Sequence, residues 1–330
     1  MLKVAVFSTK KYDQRFLEEA NQGRLDLHFF EARLDLDTCP LADKFPVVCT
    51  FVNDDLGPEV LLRLFGGGTR MIALRCAGYN NVNFYSVKNL GLVVARVPAY
   101  SPLSISEFTI GIMINLTRKI WRAINRAREG NFSLQGLLGF NIAGHTVGVV
   151  GSGKIGAAVA EALSGFQCRI LLSDPYPNPD LVTKGYDFVS VEQLFRESDL
   201  ITLHCPLTDT TRHMVNRDSI ATMKQDVMIV NTSRGALIDT EAVTEGLKEG
   251  KIAGLAIDVY EEEADIFFED RSDSIIQDDS FTRLLHFPNV IVTGHLAFFT
   301  IEAMRAIASQ TIDNILAWHN GESPPGLVTP

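Results

Sequence analysis

The sequence lacks any apolar run long enough to span a bilayer, and it is poor in cysteine. Its five cysteines are odd in number and show no C-x-x-C spacing. They are Cys39, Cys49, Cys76, Cys168 and Cys205. This pattern argues against a disulfide framework and against a metal site, and it favours buried free thiols in a reducing cytoplasm. We therefore expect a cytoplasmic protein with no metal and no membrane partner.

Positive charge is also scarce, with 30 Lys and Arg residues against 40 Asp and Glu, for a formal net charge of −10. This acidic balance argues against nucleic acid as a main partner. The first residues, Met1 to Ser8, do not have the layout of a signal peptide and predict a β-strand. With 330 residues, 46% of them hydrophobic, the chain has enough material for two globular domains.

One glycine motif stands out against these absences. Gly151, Gly153 and Gly156 form G-x-G-x-x-G, after the apolar run 146–150 and before the helix-like segment 157–163. A dinucleotide-binding loop requires strand, tight turn and helix in this order, with the pyrophosphate on the N-terminus of the helix. An ordinary glycine turn in an α/β unit is the alternative. The predicted cofactor-binding loop consists of Gly151, Ser152, Gly153, Lys154, Ile155 and Gly156.

An aspartate follows the next predicted strand at the distance expected for a ribose ligand. Asp174 lies 23 residues after Gly151, and a spacing of about 20 residues is typical of the acid that binds the adenosine ribose. No Arg or Lys follows until Lys184, so the nearby sequence offers no cation for a 2′-phosphate. The pattern favours NAD over NADP. The alternative is a solvated turn aspartate before Pro175.

Strand-like and helix-like segments alternate along the chain, which predicts right-handed βαβ units and parallel sheets. The predicted strands are 4–8, 25–30, 47–52, 71–76, 92–97, 146–150, 168–173, 200–205, 227–231, 254–259 and 290–293. The predicted helices between them include 13–20, 58–65, 83–89, 191–198, 217–223 and 240–249. An acidic, aromatic-bearing stretch, 261–279, is too long for a simple connection, so we expect it to have its own structure or function.

The chain is expected to pass between two domains twice. A Pro-rich boundary at 98–102 precedes Ser104, a candidate N-cap for a long helix from Ile105 to about Arg118. Trp121 continues this segment, and 128–131 ends it. A last helix, 301–319, carries an apolar stripe that must pack on a core, and the first domain is the natural one. We therefore predict an α/β fold of two Rossmann-like or flavodoxin-like parallel-sheet domains with a cleft between them. The substrate domain is 1–100 plus 298–330, and the NAD-binding Rossmann domain is 101–297.

Three charged residues follow predicted strands of the second domain, on the side where an open α/β sheet binds ligands. They are Arg234, Glu263 and His295. A guanidinium can fork onto the carboxylate of a 2-keto acid, and an imidazolium can protonate its ketone oxygen. A glutamate beside the imidazole favours the charged ring. Taken singly, the three would be an ion-pair partner, a solvated acid and a packed histidine, but their conjunction favours catalysis. His204, at another strand end, competes for the acid/base role, although Cys205 and Pro206 after it suggest a loop wall against the cofactor.

At these residues the chain resembles the D-isomer-specific 2-hydroxyacid dehydrogenases, and within them the NAD-dependent, lactate-forming branch. The resemblance covers essentially the whole length. It is carried by the stretches 51–55, 73–80, 97–102, 131–134, 151–156, 203–208, 230–237, 258–261 and 267–270.

The resemblance implies NAD as the cofactor and a role for each candidate residue. Arg234 binds and orients the substrate, Glu263 is the partner of the histidine, and His295 is the acid/base. The implied substrate contacts are main-chain groups of Cys76, Ala77 and Gly78, with Phe51, Tyr100 and Phe298 as pocket walls. The implied cofactor contacts beyond the glycine loop are Asp174, His204, Cys205, Pro206, Thr232, Ser233 and Asp258, the last facing the nicotinamide amide. Family members form homo-oligomers, mainly through the NAD domain.

The implied activity is the reversible reduction of pyruvate to the D-hydroxy acid by NADH. Two departures concern substrate identity, because Phe108 stands where the lactate branch usually has His, and Leu296 where it usually has Gln. Both exchange a polar for an apolar side chain, so a dehydrogenase for a larger 2-keto acid is the first alternative. An NAD(H)-sensing interaction protein on the same fold is an alternative of a different class, although the chain lacks long disordered flanks.

Overall fold

The computed structural model describes residues 1–263 and 266–329 of the chain. Its two compact units are Met1–Ser101 with Phe299–Pro330, and Pro102–Phe298. Each unit is built around one sheet, and every pairing between the strands of these sheets is parallel. The predicted class of two parallel-sheet α/β domains is confirmed. Among the described helices, none combines the length and the apolarity that a membrane crossing needs.

The first unit has a five-stranded sheet in the order β2-β1-β3-β4-β5. Its strands are β1 (Lys3–Val6), β2 (Asp26–Phe29), β3 (Val47–Thr50), β4 (Met71–Leu74) and β5 (Val93–Ala95). Its helices are α1 (Lys11–Asn21), α2 (Pro58–Gly66), α3 (Phe84–Leu90) and α12 (Ile301–His319), with a 3₁₀ helix at Cys39–Ala42. All residues of β3 and β4 are buried, which matches their continuous apolar sequence and is typical of the centre of a parallel sheet.

The C-terminal helix α12 packs against α1 and β4. Thr300 caps its start, because the Thr300 hydroxyl oxygen accepts the N–H of Ala303 at 3.2 Å. Ile307 and Ile315 are among the buried residues of the apolar stripe. The bounds of α12 are those that the stripe predicted.

The second unit has a seven-stranded sheet in the order β12-β11-β10-β9-β6-β7-β8. Its strands are β6 (Thr146–Val150), β7 (Arg169–Ser173), β8 (Asp187–Phe188), β9 (Leu200–Leu203), β10 (Val227–Asn231), β11 (Ile252–Ile257) and β12 (Val290–Val292). Its first helices are α4 (Pro102–Arg118), α5 (Ile120–Arg128), α6 (Lys154–Ser164) and α7 (Pro179–Thr183). They are followed by α8 (Val191–Glu197), α9 (Arg217–Thr222), α10 (Thr240–Lys248) and α11 (Asp279–His286), with a 3₁₀ helix at Gly235–Leu237.

The strand order of this sheet reverses at β6. The chain goes from β6 to β7 and β8 on one side, and then returns to β9 on the other side of β6. In open α/β sheets, ligands bind beyond the carboxyl ends of the strands at such a switch point. The glycine motif follows β6 directly, so the fold places it where a ligand is expected.

Helix α4 ends at Arg118, as predicted, but the segment that was expected to continue it through Trp121 is a separate helix, α5. α4 begins at Pro102, so Ser104 lies in its first turn and is not its N-cap. Lys119 has a left-handed backbone with φ of +52°, which separates α4 from α5. The N–H of Trp121 then donates to Asn115 Oδ1 at 2.8 Å. The prediction was wrong here because nothing in the helix-forming composition of this stretch indicates a left-handed residue.

Shorter elements escaped prediction. β8 has two residues and α7 has five, which is too short for a periodic pattern. Residues 264 and 265 of the acidic stretch 261–279 lie outside the described residues. In the described remainder, turns lead to α11, and Phe267 is buried against Phe281 with ring centroids 5.8 Å apart. This part of the stretch therefore contributes to the core of the unit.

Candidate active site

The turn between β6 and α6 has no room for side chains at two of its glycines. Gly151 has a φ of +96°, and a Cβ there would lie 2.7 Å from the carbonyl oxygen of His204. A Cβ at Gly156 would lie 1.9 Å from the carbonyl oxygen of Gly151. Gly153 is the N-cap of α6, and a Cβ there would meet none of the described atoms within 4 Å. The loop therefore offers open space and the free N–H groups of an 11-residue helix to an anion such as a pyrophosphate.

Asp174 is hydrogen-bonded to this loop. Its Oδ2 accepts the backbone N–H of Ser152 at 2.6 Å and the Ser152 hydroxyl at 2.9 Å. Its Oδ1 accepts the N–H of Tyr176 at 2.8 Å. Lys184, the first cation that follows in the sequence, is paired with Glu161. A ribose bound here would meet a carboxylate, which fits NAD better than NADP.

The segment after β9 lies against the glycine turn. The N–H of His204 donates to the carbonyl oxygen of Val150 at 2.7 Å, and its ring Nε2 lies 2.8 Å from Thr202 Oγ1. Burial lowers the pKa of His204 to about 3, so near pH 7 the ring is neutral and is not the imidazolium that a general acid requires. Burial also raises the pKa of the Cys205 thiol to about 11, which keeps that thiol protonated. The electrostatics of His204 therefore do not support the competing acid/base role.

Three other candidate cofactor contacts hold this edge of the sheet together. Thr232 Oγ1 lies 2.9 Å from Thr109 Oγ1 on α4, and both residues are buried. The Ser233 hydroxyl donates to the carbonyl oxygen of Cys205 at 2.8 Å. The carbonyl oxygen of Pro206 accepts a threonine hydroxyl of its own loop at 2.7 Å. The Ser233 bond ties the ends of β9 and β10 to each other.

Glu263 and His295 are in direct contact. His295 Nδ1 lies 2.8 Å from Glu263 Oε1, and because an ionised carboxylate only accepts hydrogen bonds, Nδ1 carries the proton of the neutral ring. The second oxygen, Oε2, accepts the N–H of Tyr260 at 3.0 Å. Phe268 and Phe298 flank the imidazole, with ring centroids 5.6 and 6.4 Å from it. The His295 side chain is 19% exposed and the Glu263 side chain is 21% exposed. Because Nδ1 is bonded to Glu263, Nε2 is the ring atom that can exchange a proton with a ligand.

The backbone around His295 is held by Asp258. His295 has a left-handed φ of +52°, and its N–H donates to the carbonyl oxygen of Asp258 at 2.7 Å. The Asp258 carboxylate accepts the N–H groups of Leu296 at 3.0 Å and Ala297 at 2.9 Å, and the Thr293 hydroxyl at 2.6 Å. Burial raises the pKa of Asp258 despite these bonds. The residue predicted to face the nicotinamide therefore also fixes the loop that carries His295.

Arg234 lies in the loop after β10, beside the loop after β11. Asn231 Nδ2 donates to its carbonyl oxygen at 2.8 Å. A Cβ at Gly235 would lie 2.0 Å from the carbonyl carbon of Tyr260, so the two loops are in backbone contact. Within residues 1–263 and 266–329, the guanidinium makes one hydrogen bond, from Nη1 to the carbonyl oxygen of Ser233 at 2.7 Å. Its other N–H groups remain for a carboxylate ligand.

In the first unit, the candidate carboxylate-binding loop follows β4. The Cys76 thiol donates to the carbonyl oxygen of Gly78 at 3.2 Å. Arg96 Nη1 donates to the carbonyl oxygen of Ala77 at 2.8 Å, and its guanidinium lies 4.8 Å from the ring centroid of Tyr79. Both hydrogen bonds are accepted by main-chain carbonyl oxygens of the loop, and they stabilise its conformation.

Phe51 follows β3 and is held from two sides. Its N–H donates to Asp54 Oδ2 at 2.6 Å, and the guanidinium of Arg75 lies 5.0 Å from its ring centroid. The Arg75 side chain is only 2% exposed. Of the two remaining pocket candidates, Tyr100 lies near the end of the first segment of this unit, and Phe298 ends the second unit. Arg75, Arg96 and the anchoring role of Asp258 were missed in the sequence, since no local pattern marks a residue that acts through its neighbours.

Among the described residues, no group of three or more His, Cys, Asp or Glu side chains is arranged to hold a metal ion. The groups that the structure does assemble are a glycine turn with an aspartate beside it, an imidazole–carboxylate pair, and an arginine on the adjoining loop. They can bind a dinucleotide, move a proton and anchor a carboxylate.

Comparison with known proteins gives matches that cover both units. A family model for the NAD binding domain of D-isomer specific 2-hydroxyacid dehydrogenases matches residues 110–297. D-lactate dehydrogenase from Escherichia coli is 49% identical over 325 residues, which cover 98% of this chain and 99% of that protein. The solved apo structure of D-lactate dehydrogenase from Escherichia coli aligns with a TM-score of 0.91 at 46% identity, over 99% of this chain and 100% of that one. The solved pyruvate reductase of Chlamydomonas reinhardtii aligns with a TM-score of 0.94 at 39% identity, over 98% of each chain.

Proposed function

Because this chain belongs to the D-isomer-specific 2-hydroxyacid dehydrogenases, which are NAD-dependent oxidoreductases, we propose that it is a D-lactate dehydrogenase that reversibly reduces pyruvate to D-lactate. The observation that carries the proposal is the His295–Glu263 pair at 2.8 Å, next to a loop that carries Arg234. The relatives named above are a D-lactate dehydrogenase and a pyruvate reductase, and both names specify a three-carbon 2-keto or 2-hydroxy acid.

In this proposal, His295 is the acid and base of the reaction. Reduction requires a proton at the ketone oxygen, and the protonated imidazole donates it from Nε2. Glu263 orients the ring through Nδ1 and stabilises the imidazolium by its negative charge. In the oxidation of D-lactate, the neutral ring accepts the hydroxyl proton at the same atom.

Arg234 is proposed to bind the substrate carboxylate. A guanidinium donates two parallel hydrogen bonds to a carboxylate, which fixes the planar 2-keto acid in one orientation. The main-chain groups of Cys76, Ala77 and Gly78 are proposed to hold the same carboxylate, and Phe51, Tyr100 and Phe298 to form the walls around the methyl group. The hydrogen bonds that hold the 76–78 loop and Phe51 support their assignment as ordered contact groups.

The residues of the glycine turn fit NAD. The N-terminus of α6 and the open space at Gly153 suit the pyrophosphate, and Asp174 suits the adenosine ribose. His204, Cys205, Pro206, Thr232, Ser233 and Asp258 are proposed to line the rest of the cofactor site. Bound NADH supplies the hydride of the reaction.

The competing proposals are separated by one assay. We expect NADH-dependent reduction of pyruvate, followed by absorbance at 340 nm, with D-lactate as the product identified by chiral chromatography. A higher kcat/KM with 2-ketoisocaproate or phenylpyruvate would replace the lactate assignment by the larger-acid alternative. Absence of turnover with every 2-keto acid, together with intact NADH binding, would favour the NAD(H)-sensing interaction protein.

The proposal includes a homo-oligomer formed through the second unit, in the cytoplasm. Phe132, Leu134 and Leu138 are 78%, 83% and 88% exposed, and the adjoining helix α5 has no buried residue. Exposed apolar side chains gathered in one region indicate an interaction surface. The five cysteines are free thiols, which fits a reducing compartment. Light scattering coupled to size-exclusion chromatography should give more than one chain per particle, and a monomer would contradict the oligomer.

A further inference from the structure

His213 contacts two segments, one that follows Arg234 and one that precedes Glu263. Its backbone N–H donates to the carbonyl oxygen of Ala236 at 2.8 Å, and Val215, two residues on, donates to the carbonyl oxygen of Leu237 at 3.1 Å. The chain around His213 therefore runs along the segment that directly follows Arg234. This contact involves main-chain atoms only.

The ring of His213 reaches the other loop. Its Nε2 lies 2.5 Å from Glu261 Oε1. The second oxygen of Glu261 accepts the backbone N–H of Thr240 at 3.2 Å and the Thr240 hydroxyl at 2.8 Å, so the carboxylate also caps the start of α10. Arg212 is a second cation near the carboxylate, with its Nη2 4.0 Å from Oε1. Glu261 lies two positions before Glu263 in the sequence.

The backbone at His213 is left-handed, with a φ of +50°. This conformation is uncommon for residues other than glycine, and it persists where the surroundings hold it in place. Here the main chain is fixed by Ala236, and Asn216 Nδ2 donates to the carbonyl oxygen of His213 at 2.9 Å. The left-handed turn lets one residue bond to one loop through its main chain and to the other through its ring.

We propose that His213 and Glu261 are positioning residues that fix the spacing between Arg234 and Glu263. This inference rests on the proposed function, in which Arg234 binds the carboxylate and Glu263 orients the imidazole that protonates the adjacent carbonyl. Those two substrate groups sit on neighbouring carbon atoms, so the anchor and the proton donor must keep a constant distance. A misplacement of about 1 Å at such a site can cost about 100-fold in rate.

The competing interpretation is that the His213–Glu261 bridge only stabilises the fold. A pair that acts only as a helix cap or a surface ion pair would change the unfolding midpoint and leave the kinetics alone. The bridge is partly shielded, because the His213 side chain is 35% exposed and the Glu261 side chain 16%. Kinetic and binding measurements therefore separate the two interpretations.

The test uses two variants that break the bridge, one variant that partly restores it, and a matched control. His213→Asn keeps a residue that tolerates the left-handed backbone but is too short to reach Glu261. Glu261→Ala removes the carboxylate, and Glu261→Gln restores an acceptor for Thr240. The control is Glu245→Gln, which breaks the exposed pair between Glu245 and Lys248 on the same helix α10.

We expect both bridge variants to raise KM for the 2-keto acid and to lower kcat, with kcat/KM reduced on the order of 10- to 100-fold. The double variant His213→Asn/Glu261→Ala should be no worse than the poorer single variant, because both remove the same bridge. Glu261→Gln should recover part of the loss. The Kd of NADH, measured by fluorescence, should stay within about twofold of the unaltered protein, and Glu245→Gln should match that protein throughout.

The binding of oxamate, an isostere of pyruvate, to the NADH complex gives a readout that does not depend on turnover, and its Kd should rise in both bridge variants. A lower unfolding midpoint with unchanged kcat, KM and oxamate Kd in His213→Asn would overturn the proposal. If Glu261→Ala does not fold, the measurements on His213→Asn alone decide between the two interpretations. The kinetics use the 2-keto acid that the unaltered protein reduces fastest. Failure of the unaltered protein with every acid therefore contradicts the proposed function, whereas an active protein insensitive to His213→Asn contradicts only the bridge.

Discussion

Asp258 binds the main chain of His295 and of the two residues that follow it. The carbonyl oxygen of Asp258 accepts the His295 N–H at 2.7 Å, and its carboxylate accepts the next two N–H groups at 3.0 and 2.9 Å. The imidazole position is therefore set by the end of β11 as well as by Glu263. Several hydrogen bonds to one buried carboxylate make this loop rigid, and a rigid loop favours a reproducible proton-transfer geometry.

Asp258→Asn should test this arrangement. One carboxylate oxygen becomes an amide NH₂, which cannot accept the N–H that it faces, so the loop should shift. We expect kcat for pyruvate reduction to fall on the order of 10- to 100-fold, while the protein stays folded under the assay conditions. Thr293→Val removes only the hydroxyl bond and should have a weaker effect. A normal kcat in Asp258→Asn would show that Glu263 alone suffices to place the ring.

Glu263→Gln should change the pH profile of the reaction. Reduction needs the protonated imidazole of His295, and the carboxylate of Glu263 stabilises that charge. Without the negative charge, the alkaline fall in reductive kcat/KM should move to lower pH, and oxidation of D-lactate should persist to lower pH. His295→Gln, measured alongside, should lower kcat by about 10²- to 10⁴-fold at all pH values. An unmoved profile in Glu263→Gln would rule out Glu263 as the electrostatic partner.

Asp174→Ala should weaken the preference for NADH over NADPH. The change removes a charge that repels a 2′-phosphate, and it also frees the N–H and hydroxyl of Ser152. We expect KM for NADH to rise and the ratio of kcat/KM values for the two cofactors to fall. Ser152→Ala, which keeps the carboxylate, should retain the NADH preference. Equal kcat/KM with both cofactors in the unaltered protein would contradict the assignment.

Phe51→Ala should relax selection for small substrates. The guanidinium of Arg75 lies against the Phe51 ring and Asp54 holds the Phe51 backbone N–H, so removal of the ring should leave room beyond the methyl group of pyruvate. A hydrophobic pocket discriminates by about 1–3 kcal/mol per methylene, so the unaltered protein should prefer pyruvate, then 2-ketobutyrate, then branched or aromatic acids. The variant should gain on the larger acids relative to pyruvate, and Tyr100→Ala should act in the same direction. Equal slowing with all keto acids would show that these rings serve packing only.

His204→Gln should reduce the acid sensitivity of folding. Burial lowers the pKa of His204 from 6.5 to about 3 in the folded chain, so between these pH values the unfolded chain binds a proton that the folded chain does not. The free energy of unfolding therefore falls as pH drops through this window, by at most about 1.4 kcal/mol per pH unit for one group. Urea unfolding at pH 7, 6 and 5 should show a shallower decline in the variant than in the unaltered protein.

A matched variant separates this effect from the general loss of a histidine. His319→Gln removes an exposed histidine at the end of α12 and should leave the decline unchanged. An identical acid dependence in His204→Gln and the unaltered protein would show that His204 does not limit stability in acid.

The repeating parts of the fold were accessible from sequence because burial imposes a periodic pattern. Continuous apolar runs gave the central strands, and the stripe at spacings of three and four gave α12 with its bounds. The site candidates followed from one geometric rule, that ligands meet the carboxyl ends of parallel strands. That rule places Arg234, His295 and the acidic run that contains Glu263 at one edge, whereas the 2.8 Å contact between Glu263 and His295 depends on loop conformation.

The features that were not predicted depend on backbone conformations and long-range contacts that the amino-acid composition does not indicate. Lys119, His213 and His295 are all left-handed, and each lies in a sequence that does not require a turn there. The role of Asp258 as an anchor requires three partners after β12, a relationship between distant segments. Such long-range pairings become visible only when the chain is folded.

The left-handed backbone at His295 also limits how this position can change in evolution. Glycine, asparagine and aspartate adopt a φ of +52° most readily, whereas β-branched side chains are strained there. Lineages that lose catalysis but keep the fold should therefore most readily carry asparagine or glycine here, and His295→Asn is the inactive variant that best preserves the native loop for binding studies.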